Sequence, residues 1–136
     1  MARTLILEGR PYEAIPFIKT AMRIDPDYPP FYSFVLGLAQ FGLDQFEAAA
    51  KFFESATRRN PNYGQALLFL GATYGYLNRK QEAALAIASY NSLSVQNGEA
   101  PLTIAAAATE FGGLFLESRD ADRLAQGLHR AGVPDY

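Results

Sequence analysis

The chain has 136 residues, of which 49% are hydrophobic and 19% are charged, so it is too apolar to be disordered and should fold. Its 12 basic and 14 acidic residues give a net charge of −2, which is not the basic surface of a nucleic-acid-binding protein, and we expect no nucleic-acid partner. The lack of cysteine excludes disulfides, thiolate metal sites and a cysteine nucleophile.

Membrane insertion and export are not expected from the sequence. The longest apolar run, residues 66–77, has 12 residues, whereas a helix that spans a bilayer needs about 20. Near the N-terminus only three large apolar residues in a row precede Glu8, which is too few for the core of a signal peptide. We therefore expect a cytoplasmic protein.

The hydrophobic pattern predicts an all-α fold, because no segment alternates with the period of a strand. In chain order the predicted helices span about 2–8, 11–24, 30–42, 45–59, 64–77, 80–94, 102–110 and 119–131. Proline ends two of them, in the turns that begin with Asp25-Pro26 and Asn60-Pro61. The first predicted helix is short, and we expect the chain to be a fragment of a longer protein with Met1 added for expression.

A repeat period of about 34 residues runs through most of the chain. The interval from Ala14 to Ala49 and that from Ala49 to Ala83 differ by a single residue, and Leu36-Gly37 returns one period later as Leu70-Gly71. Small residues at such positions let helix backbones approach, while large ones fill the space between layers. This pattern resembles the tetratricopeptide repeat, in which pairs of antiparallel helices stack on one another.

The resemblance implies a right-handed stack of helix pairs, an α-α superhelix, with a C-terminal helical cap. We expect the repeats to occupy residues 1–95, as a partial first repeat at 1–28, a second at 30–63 and a third at 64–95. Residues 96–136 then form the non-repeat cap. Two residues depart from the repeat pattern: Gln40 stands where an aromatic residue is preferred, and Tyr90 stands where a small one is preferred.

The tail carries a second resemblance. Residues 122–134 are similar to a C-terminal segment of a bacterial family in which tetratricopeptide repeats follow a class III adenylate/guanylate cyclase domain or a winged-helix regulator domain. This implies an alternative function, a regulatory C-terminal region in cyclic nucleotide signal transduction, with synthesis of the nucleotide carried out upstream. A cyclase or DNA-binding domain before Met1 would support it, and a natural start at Met1 would contradict it.

No catalytic constellation is predicted. His129 is the only histidine, and its place beside Arg130 on the last helix predicts a solvent-facing residue. No serine lies in a Gly-x-Ser-x-Gly elbow, and Gly112-Gly113 lacks the spacing and the lysine of a phosphate-binding loop. We expect this chain to have no enzyme activity, no metal and no cofactor.

A repeat stack offers a concave groove, lined by the first helix of each pair, and here that groove is predicted to bind a protein or peptide. Its predicted lining is almost wholly apolar: Phe31, Phe34, Leu38, Phe41, Gln65, Leu68, Ala72 and Tyr76. No basic residue stands among them, which disfavours capture of a peptide's C-terminal carboxylate. Because an exposed apolar stripe needs cover, three occupants remain open: the chain's own tail, a second copy in a homodimer, or an apolar peptide or amphipathic helix of a partner.

Overall fold

The computed structural model describes residues 11–111 and 118–135 of the chain. Over these ranges the chain forms seven helices and no strand, as predicted. The helices are α1 (Pro11–Ile24), α2 (Pro30–Gly42), α3 (Phe46–Arg59), α4 (Gly64–Tyr76), α5 (Lys80–Gln96), α6 (Ile104–Phe111) and α7 (Ser118–Arg130). Their ends agree with the predicted ends to within two residues, and the predicted helix at 2–8 lies outside the described residues.

The turns between helix pairs repeat in atomic detail. After α1, the carboxylate of Asp25 accepts a hydrogen bond from the backbone N–H of Asp27 at 2.9 Å. After α3, the side-chain oxygen of Asn60 accepts one from the N–H of Asn62 at 3.1 Å. In both turns the proline between the bonded residues stops the preceding helix, so the same local chemistry ends α1 and α3.

The turns within helix pairs repeat as well. Asp44 joins α2 to α3 and Asn78 joins α4 to α5, and both have a left-handed backbone with φ of 61°. Asp and Asn adopt this conformation more readily than other residues with a side chain. The two positions lie one repeat period apart, so the period read from the sequence also spaces these turns.

Glycine sets the distance between the two helices of each pair. A Cβ atom at Gly37 would lie 2.5 Å from Cε1 of Phe53, and one at Gly71 would lie 2.5 Å from Cδ1 of Ile87. Each glycine therefore leaves the space that a large side chain of the partner helix fills. Helices α1 to α5 pack in chain order, each on the next, which makes an all-α helical repeat stack.

Aromatic rings form the centre of the core. Phe34, Phe41, Phe53 and Phe69 are all fully buried, and they join α2, α3 and α4. The ring of Phe69 lies 5.7 Å from Phe34, 5.7 Å from Phe41 and 5.9 Å from Phe53, measured between centroids. Such ring pairs contribute about 0.5–1.5 kcal/mol each beyond their burial, so this cluster holds two successive helix pairs together.

The series of helices that each pack on the next runs from α1 to α5. This helix runs two residues beyond its predicted end, because Val95 stands where the earlier turn has Pro61 and the chain can stay helical. Gly98, with φ of 76°, then reverses the chain. Helix α7 does not extend the stack: it packs back against α4, and α6 packs against α7.

Candidate functional site

Most of the predicted groove is interior rather than surface. Five of its eight residues are buried: Phe34, Leu38, Phe41, Leu68 and Ala72. These five residues therefore belong to the interior of this structure, and binding of a partner in the groove stays a prediction. The other three, Phe31, Gln65 and Tyr76, are partly exposed.

The buried aromatic residues of α2 point between the layers of the stack. The centroid of the Phe34 ring is 5.2 Å from that of Tyr63 and 5.8 Å from that of Phe53. Phe41 lies in the same way against Phe46, at 5.6 Å. These residues face the neighbouring helices, so they hold the stack together and are not free to contact a partner.

Tyr76 marks the part of the predicted groove that contacts the tail. Its hydroxyl donates a hydrogen bond of 2.7 Å to the backbone carbonyl of Arg123 in α7. One face of its ring stacks on Phe46 with 4.2 Å between centroids, and the guanidinium of Arg130 lies 5.2 Å from the ring centroid. Burial raises the pKa of Tyr76, so the hydroxyl stays protonated and able to donate.

Helices α4 and α7 cross at a point where both carry glycine. A Cβ atom at Gly127 would lie 2.8 Å from the carbonyl oxygen of Ala72 and 2.9 Å from its Cβ. A Cβ atom at Gly75 would in turn overlap the carbonyl oxygen of Gly127. Two helix backbones come this close only where the residues between them are small. This contact requires a small residue on each of the two helices.

An ion pair joins α7 to the turn between α2 and α3. Nε of Arg123 lies 2.7 Å from Oδ1 of Asp44, and the Arg123 side chain is only 20% exposed. The left-handed backbone of Asp44 places its carboxylate at this point. A partly buried, well-aligned pair is worth more than a fully exposed one, so it fixes the position of α7 along α4.

Apolar burial completes the contact. Leu124, Leu128 and Val133 of the tail are buried in the same core cluster as Leu68 and Ala72. The chain's own tail, one of the three occupants left open by the sequence, thus lies on the C-terminal half of α4. Phe31 and Gln65 stand apart from these contacts, at the start of α2 and of α4.

Gln65 lines an open cleft of about 490 Å³ between the start of α4 and the end of α5. Tyr63, Tyr90 and Asn97 also line it, together with other polar side chains. Burial raises the pKa of Tyr63 to about 12. Tyr90, which stands where the repeat prefers a small residue, thus lies in the cleft beside the end of α5.

Sequence reasoning missed four residues that hold the tail: Gly75, Gly127, Asp44 and Arg123. The two glycines gave a usable signal, because a glycine inside a helical pattern often marks a close packing contact. The ion pair between Asp44 and Arg123 gave no signal in the sequence, since its two residues lie far apart in the chain. Ala72 and Tyr76 are the predicted groove residues for which contacts with α7 are seen.

The described residues offer no metal centre and no membrane span. Residues 11–111 and 118–135 contain no cluster of three or more histidine and acidic side chains that could hold a metal ion. None of the helices described has both the length and the apolarity needed to cross a bilayer. His129 is exposed on α7, where the sequence placed it.

Comparison with known proteins identifies the repeat. Residues 32–63 match the family model of the tetratricopeptide repeat, within the second repeat predicted at 30–63. No curated protein is significantly similar to the chain. Nothing in these comparisons supports the resemblance of the tail to cyclase or winged-helix proteins, which stays a prediction. The matched repeat and the stacked helix pairs around it fit a tetratricopeptide-repeat protein.

Proposed function

We propose that the protein is an interaction module that binds an amphipathic helix on the C-terminal half of α4, and that α7 occupies this place until a partner displaces it. The observation that supports the proposal is the contact of α7 with Gly75, Tyr76 and Asp44. Tetratricopeptide repeats are generally non-catalytic interaction modules, and a helix lying on a helical groove is a common mode of peptide recognition.

Helix α7 indicates the chemistry of the partner. Its contact side carries leucine at 124 and 128 with glycine at 127 between them, and an arginine at 123. A competing helix needs the same arrangement: two apolar residues one turn apart, a small residue at the crossing with Gly75, and a cation that can reach Asp44. Acidic side chains at the cation position would meet the Asp44 carboxylate and be rejected.

Occupation by α7 sets how tightly a partner binds. If the site is open in only a small fraction of molecules, the apparent affinity of a partner falls by that fraction. Loosening α7 should therefore raise the affinity without any change in the binding surface itself. This distinguishes a self-occupied binding site from a tail that serves structure alone.

The test uses the full chain and a fluorescent synthetic peptide of residues 118–135 as the probe. Leu128→Glu places a charge in a fully buried position of α7 and should release it from α4. Peptide binding, measured by fluorescence anisotropy, should be at least about tenfold tighter for this variant than for the unaltered chain. Gln126→Glu, an exposed position on the same helix, is the matched control and should bind like the unaltered chain.

Circular dichroism and hydrogen exchange check that α1 to α5 remain folded in Leu128→Glu. Arg123→Gln is a milder second variant, because it removes the ion pair with Asp44 from α7 and leaves Asp44 itself free to pair with the arginine of the unaltered peptide. It should raise peptide affinity by a smaller factor than Leu128→Glu. If both variants stay folded and neither binds the peptide more tightly than the control, α7 is a structural cap and the proposal fails.

A further inference from the structure

Helix α5 has an exposed face without charge. No charged residue occurs between Glu82 and Glu99, a stretch that includes most of the helix. On one side of it, exposed residues follow one another at spacings of four, three, four and three: Gln81, Leu85, Ala88, Ser92 and Val95. Leu85 is 70% exposed and Val95 is 62% exposed. We call these five residues the α5 seam, since this spacing is that of a helix that pairs with another helix.

The equivalent face of α3 is charged. One repeat period earlier in the chain, the positions equivalent to the first four seam residues are occupied by Glu47, Lys51, Glu54 and Arg58. There, Glu47 pairs with Arg79 at 3.2 Å and Glu54 accepts a hydrogen bond of 2.8 Å from the hydroxyl of Tyr74. The equivalent strip thus carries four charges on α3 and none on α5. An uncharged strip of this kind is typical of the centre of a protein interface.

We infer that the α5 seam pairs with the α5 seam of a second copy of this chain, in an antiparallel dimer with two-fold symmetry. The seam is complementary to itself when two copies pair in an antiparallel register centred on position 90. When two copies run antiparallel about position 90, Leu85 of each faces Val95 of the other, and Ala88 faces Ser92. Large residues meet large ones near the ends of the seam and small ones meet at the middle, which lets the two helices approach closely. A two-fold interface requires such self-complementarity.

The charges that flank the seam favour the same partner. Lys80 lies at the start of α5 and Glu99 follows its end, and both are exposed. Antiparallel pairing brings Lys80 of each copy, with Glu82 beside it, to the end that carries Glu99 of the other, so that each end holds charges of both signs. A parallel pair would instead bring the two Glu99 carboxylates together at one end. The dipoles of the two helices also oppose each other in the antiparallel arrangement.

The first test replaces the seam by its charged equivalent from α3. The variant Gln81→Glu, Leu85→Lys, Ala88→Glu and Ser92→Arg should fold, because α3 carries these residues in a helix and they form i, i+4 pairs. Sedimentation velocity over a wide range of protein concentration should show a dimer for the unaltered chain and a monomer for the variant. Leu43→Lys, which changes an exposed apolar residue outside the seam, is the matched control and should remain a dimer.

The second test examines the register. Lys80→Glu should weaken the dimer by about tenfold, since it replaces the cation at each end with a further carboxylate near Glu99. Adding Glu99→Lys to it should restore the dissociation constant. An unaltered chain that sediments as a monomer at every concentration overturns the inference. A dimer that survives the four-residue exchange overturns it as well, and a dimer that Glu99→Lys fails to restore overturns the antiparallel register.

Discussion

Gly75 and Gly127 face each other where α4 crosses α7, so closely that a Cβ atom on Gly75 would overlap the carbonyl oxygen of Gly127. This contact decides where the tail lies. It joins the repeat stack to a segment outside the repeats, and both backbones must lack a side chain at the crossing. The hydrogen bond from Tyr76 and the ion pair of Asp44 then fix the tail in one register.

The first prediction concerns this crossing. Gly127→Ala should destabilise the docked tail by about 1–3 kcal/mol, because the new methyl group meets backbone and Cβ atoms of Ala72 that cannot move aside easily. Hydrogen exchange of α7 amides and tryptic cleavage after Arg123 should both become faster. Gly64→Ala is the control: its Cβ would meet Tyr90 at 3.7 Å, an ordinary contact, so stability should be unchanged or slightly higher. Unchanged protection of α7 in Gly127→Ala would contradict the close approach.

The second prediction compares two equivalent glycines. Gly37→Ala and Gly71→Ala each place a Cβ atom 2.5 Å from a neighbour, Phe53 in one case and Ile87 in the other. The Phe53 ring is rigid and has other rings around it, whereas the end of the Ile87 side chain can turn and is partly exposed. We expect urea unfolding to show a loss of about 2–3 kcal/mol for Gly37→Ala and a smaller loss for Gly71→Ala. Equal losses of unfolding free energy in the two variants would mean that the rigidity of the Phe53 ring does not contribute to the destabilisation.

Local signals made the repeats predictable. The prolines after Asp25 and Asn60 fixed the ends of two helices, and the glycine at the same place in each pair fixed the period. Burial of the groove was harder to predict, because helical spacing places Phe34 and Phe41 on a face without saying whether their rings point outward or between layers. The docking of α7 depends on Gly75 and Gly127, which no local pattern connects. The sequence therefore left open which of three occupants covers the groove.

The third prediction concerns Gln40, which stands where the repeat prefers an aromatic residue. Its Oε1 is buried and has no hydrogen-bond partner among residues 11–111 and 118–135. The equivalent residue one period later, Tyr74, does have a partner in Glu54. Gln40→Met keeps the length of the side chain and removes the unpaired oxygen, so the free energy of unfolding in urea should rise by about 1 kcal/mol. Gln126→Met, at an exposed position, is the control and should change stability little. A loss of stability in Gln40→Met would contradict the prediction, because it would show that the Gln40 amide makes a hydrogen bond in the folded protein.

The fourth prediction is a loss of stability at alkaline pH. Burial raises the pKa of Tyr63 to about 12, and burial together with the hydrogen bond to Glu54 raises the pKa of Tyr74 further. Above about pH 10 the unfolded chain loses these phenolic protons while the folded chain keeps them. Because the unfolded state then binds fewer protons, stability is complete below about pH 10 and falls as the pH rises from there towards the folded-state pKa values.

Urea unfolding between about pH 9 and pH 12, with tyrosinate absorbance as a second signal, measures this fall. Tyr63→Phe and Tyr74→Phe should each make the dependence on pH shallower by at most about 1.4 kcal/mol per pH unit, because each removes one titrating group. Tyr74→Phe should also lower stability at neutral pH, since Glu54 loses its hydrogen-bond donor, whereas Tyr63→Phe should not. Slopes that stay the same in both variants would place these hydroxyls in contact with water in the folded protein.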